Sequence, residues 1–329
     1  MIDPFGRKIN YLRLSVTDRC DFRCTYCMAE NVKFLPRTDL LTLEELEKIC
    51  SVFINKGIKK IRISGGEPLV RKNIMKLFQN LGKKLTESSL QELTLTTNGS
   101  QLNKYSSDLY NYGVRRVNIS LDTLSEKKFH LITRKNNFHS VIDGINAAKK
   151  SRLKVKINTV VLKGINDEEI DSLITWCGKN NFDLTLIETM PLGDTGVLRS
   201  NNYLSISELK KRLMQNWTIK DINFKSGGPA RYSYIQEADL RLGMITPMSR
   251  NFCSDCNRLR VTCTGKIYMC LGQNNSIDLK EALRSHKSIQ ALENLIDQSI
   301  YEKPKKHNFT IEEFSDSSKI DRTMNVTGG

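Results

Sequence analysis

The stretch YLRLSVTDRCDFRCTYC, residues 11–27, opens on a strand and closes on three cysteines. In YLRLSV (11–16) apolar and polar side chains alternate, the period of a strand whose two faces differ. Cys20, Cys24 and Cys27 then fill three of eight positions. Thiolates bind zinc and iron–sulfur clusters. Three of them leave a zinc tetrahedron one ligand short, and the four histidines, His130, His139, His286 and His307, are all distant in sequence. On a four-iron cluster they leave one iron without a protein ligand. On this stretch alone, both readings stay open.

Outward from it, the strand pattern recurs. KKIRIS (59–64), ELTLTTN (92–98), RRVNISLD (115–122), LKVKINTVVL (153–162) and FDLTLIETM (182–190) read as strands. Helical spacing lies between them at 42–57, 74–85, 103–113, 139–151 and 167–180, with Gly57 and Gly113 as stops and Asn166-Asp167 as a cap. Six strand–helix units predict a parallel sheet, as an open sheet or a partial barrel. Chemistry then collects at the carboxyl ends of the strands, where Glu67, Asn98 and Glu188 are expected to hydrogen-bond around a ligand. Trp176, Trp217, Cys50 and Cys177 read as packing.

After residue 191 the rhythm breaks. Residues 193–202 read as a loop, 205–215 as a capped helix, 225–232 as a glycine-rich turn and 240–246 as a short strand. Four more cysteines follow, then a charged tail ending in Gly328-Gly329. The expected fold is α/β: a partial (βα)6 TIM-like barrel over 1–225, and an α+β extension over 226–329.

Composition is ordinary for a globular chain, 39% hydrophobic and 26% charged, and no apolar run reaches eighteen residues, so no membrane span is expected. The first residues do not read as a secretory signal, which predicts a reducing, cytoplasmic compartment and no disulfide framework for the nine cysteines. A net charge of +15 fits a solvated surface, a phosphate-rich ligand or a nucleic acid. The lack of an aromatic-interleaved basic stripe argues against nucleic acid.

CDFRCTYC, with Tyr26 before its third cysteine, and SGGEP (64–68) after the second strand resemble the signature segments of radical S-adenosylmethionine enzymes. FCSDCNRLRVTCTGKIYMCLG (252–272) places Cys253 and Cys256 beside Arg258 and Arg260, with Cys270 after thirteen intervening residues. That segment, together with LTTNG, VNISLD, KGIND and the final Gly-Gly, resembles the GTP 3′,8-cyclase family across essentially the whole chain.

The resemblance implies two [4Fe–4S] clusters, one on Cys20, Cys24 and Cys27 and one on Cys253, Cys256 and Cys270, the latter in the C-terminal extension. It implies S-adenosylmethionine contacts from Tyr26, Gly66, Ser120 and Met190. GTP contacts are implied for Arg13, Arg62, Thr96, Lys156, Arg258, Leu259 and Arg260, and catalytic roles for Arg258, Arg260, Gly328 and Gly329. The implied reaction is removal of the ribose 3′ hydrogen of GTP by a 5′-deoxyadenosyl radical, then attack of C3′ on guanine C8, with the two centres facing one chamber. A homodimer, an electron donor such as flavodoxin or ferredoxin, and cyclic pyranopterin monophosphate synthase as the next enzyme are implied in the same way.

Two positions depart from the family pattern. Thr185 stands where an arginine is usual, and Cys263 is additional. Cys263 reads either as a bystander or as a fourth ligand that closes the second cluster. Two other readings explain part of the chain: a radical enzyme acting on a peptide, with the second cluster as relay, and a zinc-bearing nucleic-acid-binding protein.

Overall fold

The computed structural model describes residues 1–196, 199–285, 288–309 and 320–328. Its first six strands are β1 (Tyr11–Ser15), β2 (Lys60–Ser64), β3 (Glu92–Thr97), β4 (Arg116–Ser120), β5 (Lys154–Val160) and β6 (Asp183–Ile187). Six more follow: β7 (Ile219–Ile222), β8 (Arg231–Ile235), β9 (Leu240–Ile245), β10 (Arg258–Val261), β11 (Lys266–Tyr268) and β12 (Ser276–Asp278). All twelve form one sheet, in the order β12-β11-β10-β1-β2-β3-β4-β5-β6-β9-β8-β7. β10 pairs parallel with β1 and β9 parallel with β6, so eight strands run parallel at the centre. Antiparallel strands continue both edges.

The expected helices are α1 (Leu43–Asn55), α2 (Ile74–Glu87), α3 (Leu102–Asn111), α5 (Phe138–Lys150), α6 (Ile170–Asn180) and α7 (Ile206–Leu213). α4 (Glu126–Thr133), α8 (Lys280–Arg284), α9 (Ile289–Tyr301) and α10 (Met324–Thr327) complete the set. Thr42 and Glu45 close a reciprocal capping box at the start of α1. Asn166 is not the side-chain cap that its position suggests: its amide donates to Asp122 O and Val160 O, tying that turn to the end of β4.

The alternation within the strands has a structural cause. Leu12, Leu14, Ile61, Ile63, Leu95, Val117, Ile119, Ile157, Leu184, Leu186, Leu259 and Val261 are all fully buried in the core beneath the helices. The intervening positions carry Tyr11, Arg13, Arg62, Asn118, Lys156, Asn158, Arg258 and Arg260, and these line a single cavity. A parallel sheet covered on both faces reads as near-continuous apolar runs. Here one face lies under helices and the other curls around a polar hollow. Register sets the polar residues side by side, Arg260 with Arg13, Arg13 with Arg62, Asn118 with Lys156, and Asn158 with Thr185.

Candidate active site

The first cysteine triad sits in the loop leaving β1. Cys27 N donates to Cys24 O at 2.9 Å, and Arg23 N and Thr25 N bond the last carbonyls of α4, so the loop is hung from that helix. Two amides face Cys20 Sγ, Phe22 N at 3.4 Å and Asn98 Nδ2 at 3.8 Å. Donors aimed at sulfur suit a ligating thiolate. Tyr26 OH donates to Asp122 Oδ2 at 2.8 Å. A small cavity beside the triad is lined by Cys24, Tyr26, Asn98, Ser120 and Asp122.

The glycine segment after β2 presses on the approach to this loop. Gly66 N donates to Thr17 O and Glu67 N to Arg19 O, both at 2.8 Å. A Cβ on Gly66 would stand 2.3 Å from Arg19 O, so only glycine fits. Glu67 is fully buried and accepts from Thr97 Oγ1 at 2.8 Å, Asn98 N at 2.6 Å and Leu69 N at 3.0 Å; burial raises its carboxyl to about 8. Glu188 accepts from the main chain of Ile206, Met248 and Ser249. Through these bonds both acids hold the loops that follow their strands. Asn98 reaches the site.

The electrostatics of the first triad oppose the free thiolate. Burial raises the Cys20 thiol, and Glu67 and Asp21 add to it. Cys24 is raised by burial, Cys27 and Asp122. Asp122 is itself lifted by burial to about 6.

The second triad belongs to the cavity on the inner face of the sheet. Cys253, Cys256 and Cys270 all line it, with Arg13, Arg62, Lys156, Arg258, Arg260, Met190 and Met324, and among the described residues no carboxylate lines it. Burial, then repulsion from Arg62 and Arg258, brings Arg13 down to about 10 against the favourable effect of Tyr11. Burial with Arg62 and Arg116 brings Lys156 down to about 7, and burial with Arg13 and Arg258 lowers Arg260. Arg13 Nε and Nη2 and Arg62 Nε are buried with no hydrogen-bond partner. Crowded cations with idle donors are the receiving side of a polyanion. Burial would raise the Cys256 thiol, but Arg258, Lys303 and Arg7 overcome it and hold it at about 6.

Other named positions fall as follows. Leu259 is buried in the core, on the face of β10 away from the cavity, so it offers only main chain to a ligand. Arg62 Nη1 donates to Thr96 Oγ1 at 3.5 Å. Cys263 is fully buried near Ser15, Asp18 and Arg71 and does not line the cavity of the other three. Thr185 is fully buried with its Oγ1 unpaired. Gly329 lies outside the described residues.

The C-terminal segment runs between the two sites. Arg322 donates to Cys270 O and Leu271 O, Asn325 Nδ2 to Asp18 O at 2.9 Å, and Arg260 Nη1 to Gly328 O at 2.7 Å. A Cβ on Gly328 would meet Ser64 Oγ at 2.1 Å. Ser120, which lines the small cavity, pairs in register with Asn158, which lines the cavity of the second triad.

Two hydrogen-bonded groups surround the first triad: Asn98 and Ser100 both donate to Asp21, and Tyr26 donates to Asp122. Asp21, Ser100 and Asp122 were missed as site residues; the signal for Asp122 was its place at a strand end.

Comparisons with known proteins agree with this geometry. Residues 14–177 match the family model of the radical SAM superfamily, and residues 182–309 match Molybdenum Cofactor Synthesis C. A GTP 3′,8-cyclase of Rhizobium etli (strain CIAT 652) is 55% identical over 329 residues, covering 100% of this chain and 94% of the relative. One from Brucella ovis is 55% identical over 329 residues and is covered to 96%. Among solved structures, Streptococcus suis SuiB bound to S-adenosylmethionine is similar with a TM-score of 0.63 at 17% identity, over 92% of this chain and 76% of that one. The structure of anSMEcpe with bound AdoMet gives 0.52 at 20% identity, over 63% of this chain and 57% of that one. Those two likenesses concern the fold. On its full-length relatives and both family models, the chain belongs to the GTP 3′,8-cyclase family of radical S-adenosylmethionine enzymes.

Proposed function

We propose that this chain converts GTP to (8S)-3′,8-cyclo-7,8-dihydroguanosine 5′-triphosphate, the first step of molybdenum cofactor biosynthesis. The observation that carries the reading is the single cavity in which three cysteines meet five cations. Bound iron–sulfur centres and S-adenosylmethionine supply the radical chemistry, as cofactors do for reactions that side chains cannot perform.

The chain's own part is placement. Cys20, Cys24 and Cys27 hold one centre, and Tyr26, Gly66, Ser120 and Met190 seat S-adenosylmethionine, with Tyr26 fixed by Asp122. Cys253, Cys256 and Cys270 hold the second centre, and Cys263 takes no ligand role. Arg13, Arg62, Lys156, Arg258 and Arg260 receive the triphosphate, which matches the idle donors of Arg13 and Arg62. Arg260 also donates to Gly328 O, and the tail held there shields the reacting sugar from water. Thr96 and the Leu259 main chain border the same ligand, and Gly329 follows Gly328 toward it. Residues 1–225 act as the cofactor barrel and 226–329 as the substrate-side unit. A cytoplasmic homodimer, reduced by a flavodoxin or ferredoxin and feeding cyclic pyranopterin monophosphate synthase, completes the reading.

The test is anaerobic incubation of the full chain with S-adenosylmethionine, dithionite and GTP. Formation of 5′-deoxyadenosine in step with a cyclised nucleotide is expected. Cleavage of S-adenosylmethionine with GTP left intact would overturn the proposal.

A further inference from the structure

Lys303 follows the last turn of α9 and is only 3% exposed. Its Nζ donates to Arg258 O at 3.0 Å and to Met269 O at 2.5 Å. Those carbonyls flank the second triad: Arg258 is two residues past Cys256, and Met269 directly precedes Cys270. The β10–β11 ladder runs only from Val261–Ile267 to Arg260–Tyr268. Beyond that last pair no ladder contact joins the two arms of the hairpin, one held to β1 through Arg258, and the Lys303 ammonium bridges them.

Neither partner of Lys303 is a carboxylate, and an ammonium taken out of water without a counter-charge is costly. Two further cations grip the same loops from distant parts of the chain. Arg7, paired with Asp3 at 2.5 Å, donates to Cys253 O at 2.9 Å. Arg322 donates to Cys270 O at 3.2 Å. Lys303 differs from both in bridging two ligand-bearing arms with one group.

We infer that Lys303 is a positioning residue of the second cysteine site, fixing the Cys256 and Cys270 arms at cluster-holding separation and offsetting the charge of their thiolates. This rests on the two-cluster reading above.

The test uses the full chain, reconstituted anaerobically with iron and sulfide. Wild type should hold about eight irons, two four-iron centres; about four would overturn the two-cluster reading, and the role of Lys303 with it. Given a wild type with about eight, K303M should hold about four, keep S-adenosylmethionine binding, and be largely rescued by K303R. K303M with wild-type iron and an unchanged reduction potential at the second centre overturns the inference while leaving the two clusters standing. Should K303M not fold, K303Q decides. Loss of the second centre alone, or its retention at a more negative potential, supports the role; wild-type loading at the wild-type potential contradicts it.

Discussion

The two cysteine triads are built on opposite principles. The first is local: three thiols in eight residues, hung from α4 and braced by the glycine segment after β2. Its neighbours are acids, Asp21, Glu67 and Asp122, which together with burial push the Cys20 and Cys24 thiols up. The second is assembled from afar. Its loops are gripped by Arg7, Lys303 and Arg322, and the cations that face it bring Cys256 down to about 6. A cationic second site can share its cavity with a polyanion. An acidic first site suits no such ligand, and an uncharged register pair, Ser120 and Asn158, links the linings of the two cavities.

The largest effects should come from breaking either triad. Cys24→Ala should abolish turnover and reduce iron from about eight to about four per chain, leaving GTP binding intact. Cys256→Ala should give the same iron loss but weaken GTP as well. Equal effects of the two variants on GTP affinity would erase the contrast drawn here.

Arg260→Ala should weaken GTP binding by roughly 1.5–3 kcal/mol, the range for hydrogen bonds to charged groups, without changing the absorbance of the first centre. Calorimetry and the visible spectrum read the two quantities separately.

Proton linkage gives a smaller, signed effect. Lys156 sits at about 7 in the ligand-free chain because burial and its cationic neighbours disfavour charge. A bound triphosphate favours the ammonium and raises that value. GTP binding should therefore take up protons, and affinity should fall as pH rises above about 7. Calorimetry in buffers of different ionisation enthalpy checks the sign, and Lys156→Met should abolish it.

The electrostatic contrast itself is open to direct chemistry. In the metal-free chain at pH 7.5, iodoacetamide should alkylate Cys256 ahead of Cys20, since Cys256 is held below its ordinary value, at about 6, and Cys20 above its own. Its rate should drop as pH falls through that value. The smallest effect is expected from Cys263→Ala, which should leave iron content unchanged.

The legibility of the chain follows the same division. Six strands and their helices were readable because each is a local period, and the cysteine spacing of the first triad lies in one loop. The alternation in KIRIS and KVKIN also carried the hollow interior, since a sheet covered on both faces would not alternate. What stayed hidden was long-range. β10 pairs with β1, nearly the whole chain away, and no local pattern in RLRV encodes that neighbour. β8 was read as part of a turn because Gly227, Gly228 and Pro229 precede it. α4, short and polar, gave weak periodicity, although it anchors the first triad. Lys303 had no signal at all, being one lysine among many until its neighbours were placed.

The central claim, that the second triad and the nucleotide share one cavity, is tested most directly in a chain carrying C20A, C24A and C27A together. Loaded anaerobically, it should hold about four irons. Adding GTP to its reduced form should change the electron paramagnetic resonance spectrum of that remaining centre, whereas inorganic triphosphate, lacking a base, should change it less. A spectrum indifferent to GTP that is demonstrably bound would contradict the account.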